Sequence, residues 1–185
     1  MNDDFKTAGS GLRTVFIGEL VSIAAIFLVW IPFLGIIAAL AGGIIVLVGL
    51  NSAGPAHPGF KNAFYMAVAV VILNVVSAFT GAGFLTGLLN VAVPIVSFLE
   101  TYFICVASGE LLLAKGDDSQ ADRAALIWKL YAACMLVGIV CTLVAWIPVL
   151  NLLAGVVNVV VAIVELVAGI LLFIFLYKAS QSLLS

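Results

Sequence analysis

A chain of 185 residues that is 65% hydrophobic and only 9% charged has too little polar surface to face water on all sides, so it reads as an all-α integral membrane protein. Its net charge of -2 says little about partners, because in a membrane protein the balance of charge between loops sets orientation. Its 7 Lys and Arg are scattered singly and make no basic patch, which excludes nucleic-acid binding.

The amino terminus, Met1-Asn2-Asp3-Asp4-Phe5-Lys6, is acidic and runs into a long apolar segment, so no removable signal peptide is expected. The first apolar stretch, Val15 to Leu50, is broken by Trp30-Ile31-Pro32-Phe33-Leu34-Gly35. The second, Ala63 to Ala114, is broken by Thr80-Gly81-Ala82-Gly83, and the third, Ala124 to Leu184, by Trp146-Ile147-Pro148-Val149-Leu150-Asn151. A helix rises about 1.5 Å per residue across a hydrocarbon core roughly 30 Å thick, so each stretch must fold back on itself. Proline and paired glycines supply the break points. The expected spans are 15–31, 33–50, 63–79, 84–114, 124–146 and 149–184. They give six transmembrane helices as three helical hairpins in a single membrane domain covering 1–185, with hairpin repeats at approximately 12–51, 61–115 and 123–184.

The connector from Asn51 to Gly59 is dense in Gly and Pro and reads as turns. In the connector from Lys115 to Arg123, Ser119 and Asp122 have the spacing of a capping box for the fifth helix. Lys6, Arg13, Lys61, Lys115, Arg123, Lys129 and Lys178 all fall at the chain ends or in and beside these two connectors, and none falls near a hairpin tip. Six spans put all of them on one side, which the positive-inside rule makes the cytoplasm. The expected location is thus the cell membrane, multi-pass, with both termini cytoplasmic. Trp30 and Trp146 would sit at the outer interface and Trp128 at the inner one.

A shift of 116 residues superimposes Trp30 on Trp146, Pro32 on Pro148 and Arg13 on Lys129. The same shift lays Gly35, Gly42 and Gly49 on Asn151, Asn158 and Glu165, each set spaced by seven and so lying on one helix face. This internal repeat, with a looser middle copy, predicts a pseudo-threefold bundle whose second and sixth helices occupy related positions, both stripes facing inward. Gly35, Ala39 and Gly43 form a small-xxx-small ridge suited to close helix packing, as do Gly42 and Gly49.

Polar residues inside the spans are the only candidate chemistry. Glu100 and Glu165 each lie about 22 Å below their hairpin tip, and Glu19 enters about 9 Å from the opposite side, so three carboxyls share the inner leaflet. Asn90, Ser97, Thr101 and Ser108 line the fourth helix near them, Asn151 and Asn158 the sixth, and Asn74 with Ser77 the third. Intramembrane carboxyls are costly and usually face a cavity or a partner. Carboxyls close together in low dielectric cannot all stay ionised, so one would carry a proton near neutrality and could exchange it for a cation. Glu100, Glu165, Glu19, Asn158, Asn90 and Ser97 are the candidate cation or proton site. The plain alternative is that each Glu is neutral and hydrogen-bonded to a neighbouring helix, fixing the packing. Glu110, near a helix end, reads as solvated.

Cys105, Cys134 and Cys141 lack Cys-x-x-Cys spacing and read as small buried hydrophobes, and the lone His57 sits in a Pro-rich turn, so no metal site is expected. No Gly-x-Ser-x-Gly, His-Glu-x-x-His or phosphate-binding loop occurs, so neither an enzyme nor a cofactor is expected. The hairpin tips, the Phe60-Lys61-Asn62-Ala63-Phe64 start of the third helix and the Leu176-Tyr177-Lys178-Ala179-Ser180 ending together resemble small prokaryotic polytopic membrane protein families of unknown function. That resemblance implies a fold type and a bacterial or archaeal membrane, and it carries no catalytic residues across. Two functions follow as expectations. One is a small transporter or channel with an inner-leaflet acidic site. The other is a non-catalytic subunit or scaffold whose glycine ridge binds a second copy or another membrane subunit within the bilayer.

Overall fold

The computed structural model describes residues 2–28, 34–80, 84–144 and 148–185. They form six helices: α1 (Asn2–Phe27), α2 (Leu34–Ala53), α3 (Pro58–Phe79), α4 (Phe84–Lys115), α5 (Asp118–Val144) and α6 (Pro148–Leu184). Five of them are long and apolar enough to cross a membrane, and α2 contributes the shorter apolar stretch Ile37–Ala53. The hairpin tips at Trp30 to Phe33, Gly81 to Gly83 and Trp146 to Ile147 lie outside the described residues, as does the side chain of Asn151.

Each helix packs on the next, and α1 packs on α6, so the six follow one another around a closed ring, with a lesser contact between α4 and α6. Both ends of the chain and the two long connectors gather at one pole. Gly9 lies against Ser180, Leu183 and Leu184, Gly11 against Ala53, and Gly59 against Ala107. The core is concentrated at that pole, where Leu12, Leu50, Phe60, Leu112, Phe175, Leu176 and Leu183 are almost completely buried. Toward the opposite pole large apolar side chains turn outward, among them Phe27, Ile37, Phe79, Leu85 and Val156. Water would penalise such a surface, whereas lipid does not.

Close backbone contact holds α1 to α2. A Cβ at Gly11 would stand 2.7 Å from the Gly49 carbonyl, one at Gly18 2.7 Å from the Val46 nitrogen, and one at Gly49 2.7 Å from the Val15 nitrogen. Gly42 meets Gly18 and Ser22 in the same way. Interior glycine costs a helix up to about 1 kcal/mol relative to alanine, and here it permits a contact no side chain could enter. Gly43 behaves differently: a Cβ there meets nothing within 4 Å, and Ala39 is exposed. The Gly35-Ala39-Gly43 ridge is therefore not a packing surface within the bundle at Ala39 and Gly43, because those positions lie off the α1 face. Nor do the α2 and α6 stripes have equivalent roles, since Gly42 and Gly49 face α1 while Asn158 and Glu165 border a cavity between α4, α5 and α6.

Capping fixes the connectors. Gly116, at φ 88°, ends α4 in a Schellman arrangement: its N–H donates to Leu113 O (3.0 Å) and the Asp117 N–H to Leu112 O (2.9 Å). Asp117 then caps α5 by accepting from the Gln120 N–H at 3.2 Å. The cap is thus Asp117 rather than Ser119, because the glycine turn brings Asp117 to the position whose carboxylate reaches the third helical N–H. Helix α3 begins at Pro58, five residues before the expected span, with His57 as its cap: the ring Nδ1 accepts from the Gly59 N–H at 3.1 Å. The other ring nitrogen, Nε2, lies 2.9 Å from Glu110 Oε2, so Glu110 has a protein partner and ties the α2–α3 connector to α4. At the end of α6, Ser182 donates to Asp117 Oδ2 (2.7 Å), and Lys115 Nζ donates to the Ser182 carbonyl.

Candidate functional site

The buried stripes that build the core at the terminal pole each run up into a polar residue. On α1 the inward positions Ala8, Leu12 and Val15 lead to Glu19. On α4 Leu111, Ala107 and Ile104 lead to Glu100, and on α5 Ala124 and Ile127 lead to Tyr131. On α6 Leu183, Ala179, Leu176 and Leu172 lead to Ala168 and then Glu165. Steps of three and four keep each series on one helix face. The apolar seal therefore gives way to polar residues on four of the six helices.

The carboxyls have identifiable neighbours. Glu100 lies within electrostatic reach of Glu19. Tyr131 is within reach of both Glu19 and Glu165, and its hydroxyl stands 3.6 Å from where a Cβ on Gly169 would lie. Axial position sets which space Glu165 meets. Glu165 is about 6 Å farther along its helix than Gly169, the residue level with Tyr131, and so it opens into the space above.

That space is a cavity of about 240 Å³ lined by Asn90, Val91 and Pro94 of α4, Cys134, Met135, Gly138 and Ile139 of α5, and Asn158, Val161, Ala162 and Glu165 of α6. With liquid water occupying about 30 Å³ per molecule, it can hold several waters or a small organic cation. Glu165, Asn158 and Asn90 are exposed to it, and Asn158 lies about 10 Å above Glu165 by helical rise. Pro94 adds a donor-seeking group, since it has no N–H and leaves the Asn90 carbonyl without its usual partner one turn on. One carboxylate, two side-chain amides and a backbone carbonyl thus border one cavity, with Glu165 and Asn158 at different depths in it. Among the described residues no three His, Cys, Asp or Glu side chains are grouped to hold a metal ion.

Asn90, Asn158 and Glu165 line this one cavity, whose lining does not include Glu19 or Glu100, and Tyr131 lies within electrostatic reach of both Glu19 and Glu165. Ser97 is half-buried, and its carbonyl accepts from the Thr101 hydroxyl at 3.2 Å, outside the cavity lining. Ser108 lies in the apolar core, fully buried, with no hydrogen-bond partner for its hydroxyl. It is no part of a polar stripe, because it sits two turns toward the terminal pole from Glu100. Tyr131 and Pro94 are additions that sequence reading passed over. The signal for Tyr131 was its continuation of the Ala124–Ile127 stripe, and for Pro94 its place one turn beyond Asn90.

No protein-family model matches the chain, and neither a curated protein nor a solved structure is significantly similar to it.

Proposed function

We propose that this protein is a small six-helix membrane transporter or channel in which Glu165 receives a cation or proton in a polar cavity, with Glu100 and Glu19 as further stations below. The observation that carries this reading is the convergence of Glu165, Asn158 and Asn90 on one cavity, directly above the level of Tyr131 and the other two carboxyls. An ionised side chain at the bilayer centre costs about 2.5–3.5 kcal/mol on insertion scales, so three carboxyls at nearby depths would cost a large share of the 5–15 kcal/mol that holds a typical domain together. A wet, cation-binding cavity relieves that cost, and a purely structural role does not require one.

The proposed orientation puts the terminal pole in the cytoplasm of a prokaryotic cell, since all seven basic residues belong to that half of the bundle. The closed ring of consecutive helices also suits three hairpin repeats about a pseudo-threefold axis. The test is flux through purified protein in liposomes carrying an internal pH-sensitive dye, with H⁺, Na⁺, K⁺ and tetramethylammonium gradients imposed in turn. Wild-type protein should dissipate at least one gradient, and Glu165→Gln should abolish that flux while the fold is retained. Full flux in a folded Glu100→Gln, Glu165→Gln double variant would refute the reading.

A second reading, a non-catalytic subunit or scaffold, is favoured by the open ridge at Ala39 and Gly43, which no helix covers among the described residues. Under it the Gln variants leave all behaviour unchanged, and Gly43→Leu prevents assembly in the membrane.

A further inference from the structure

A groove on the outer side of the α5–α6 junction is unrelated to the polar cavity. It has a volume of about 420 Å³ and is lined by Arg123, Leu126 and Ile127 of α5 and Leu171, Ile174, Phe175 and Lys178 of α6. Its walls are apolar except at the end nearest the terminal pole, where Arg123 of α5 and Lys178 of α6 both line it. Leu126 (53% exposed) and Ile174 (42% exposed) show that it opens away from the bundle, toward lipid.

The two cations are unspent. Among the described residues neither Arg123 nor Lys178 has an ion-pair partner. Asp122, the nearest carboxylate in sequence, lines a different groove, against α4. Both cations lie near the terminal pole, where helices this long reach the headgroup level. Below them the groove runs from Lys178 to Leu171, about 10 Å at helical rise, into the depth of the acyl chains. A basic mouth above an apolar slot matches one bilayer component, an anionic lipid, whose phosphate is recognised by charge and geometry and whose chain needs only an apolar wall.

We propose that the α5–α6 groove is a binding site for an anionic phospholipid, with the headgroup phosphate held between Arg123 and Lys178 and an acyl chain lying along Leu126, Leu171 and Ile174. Arginine offers the planar fork for two phosphate oxygens and lysine the point charge. The lipid thereby bridges α5 and α6 from outside.

The experiment is native mass spectrometry of the purified protein titrated with phosphatidylglycerol or with phosphatidylcholine of the same chains. Wild type should retain phosphatidylglycerol selectively. Arg123→Gln with Lys178→Gln should weaken that retention about tenfold or more, and should leave phosphatidylcholine unchanged. Lys61→Gln with Lys129→Gln removes the same charge elsewhere on the protein and should have no effect. Ile174→Trp, which fills the slot at an exposed position and keeps both cations, should also weaken retention, whereas inorganic phosphate should not compete. Equal losses in the two double variants would mean bulk charge attraction and would overturn the site. So would unchanged retention in Arg123→Gln with Lys178→Gln, loss of lipid to inorganic phosphate alone, or a lipid-free dimer that the same variant dissociates.

Discussion

The α1–α2 contact makes two nearby glycines of one helix respond oppositely to the same substitution. At Gly49 a methyl group would lie 2.7 Å from the Val15 nitrogen and 2.8 Å from the Gly11 carbonyl, both backbone atoms that cannot rotate away. Gly49→Ala must therefore push the helices apart by several tenths of an ångström, at a cost of about 1–3 kcal/mol for overpacking. At Gly43 the methyl meets nothing within 4 Å, so Gly43→Ala keeps the contact and gains helix propensity worth up to about 1 kcal/mol. Both variants gain the same helix propensity, so the expected gap between them is the overpacking cost alone, about 1–3 kcal/mol. At roughly 2–4 °C per kcal/mol for a chain of this size, the melting temperatures should differ by on the order of 2–12 °C. Thermal unfolding of both variants in the same detergent, followed by aggregation or tryptophan fluorescence, measures this difference. Equal melting temperatures, or a more stable Gly49→Ala, would show that α1 and α2 do not meet through Gly11, Gly18, Gly42 and Gly49.

Ser108→Ala should raise stability by about 1 kcal/mol, read as a higher melting temperature, because it removes a buried hydroxyl that has no partner. His57→Ala should lower it by about 1 kcal/mol by uncapping α3, and Glu110→Gln by less, since Glu110 is exposed and its pair with His57 is screened. Cysteines introduced at Asn51 and Ser119 of a Cys-free variant should react with an impermeant thiol reagent only after the cells are opened. Labelling in intact cells would invert the proposed orientation. Tyr131→Phe should leave the fold intact and, if the hydroxyl links Glu165 to the carboxyls below it, reduce flux in liposomes. Unchanged flux would remove Tyr131 from the path.

Sequence by itself determined the helical class and the number of helices, because both follow from quantities local to the chain: apolar run length against bilayer thickness, and proline or glycine at the breaks. It also determined which ends gather at one pole, since an even number of consecutive antiparallel helices leaves no other arrangement. The ends of helices were less legible. Asp117 displaces Ser119 as the cap of α5 only because Gly116 turns the chain into a left-handed conformation, and α1 already starts at Asn2, with Phe5 and Ala8 of its otherwise polar first turns buried in the core. The faces of the helices could not be read locally at all. A seven-residue spacing of glycines marks a stripe but not its partner, and only the packed structure pairs Gly42 and Gly49 with Gly18 and Gly11, leaving Gly43 open. The same holds for the carboxyls: depth along a helix is a matter of counting residues, but which carboxyl meets which depends on rotation about six axes at once. Packing of the apolar stripes fixed those rotations, and they set Glu100 toward Glu19 and Glu165 toward Asn90 and Asn158.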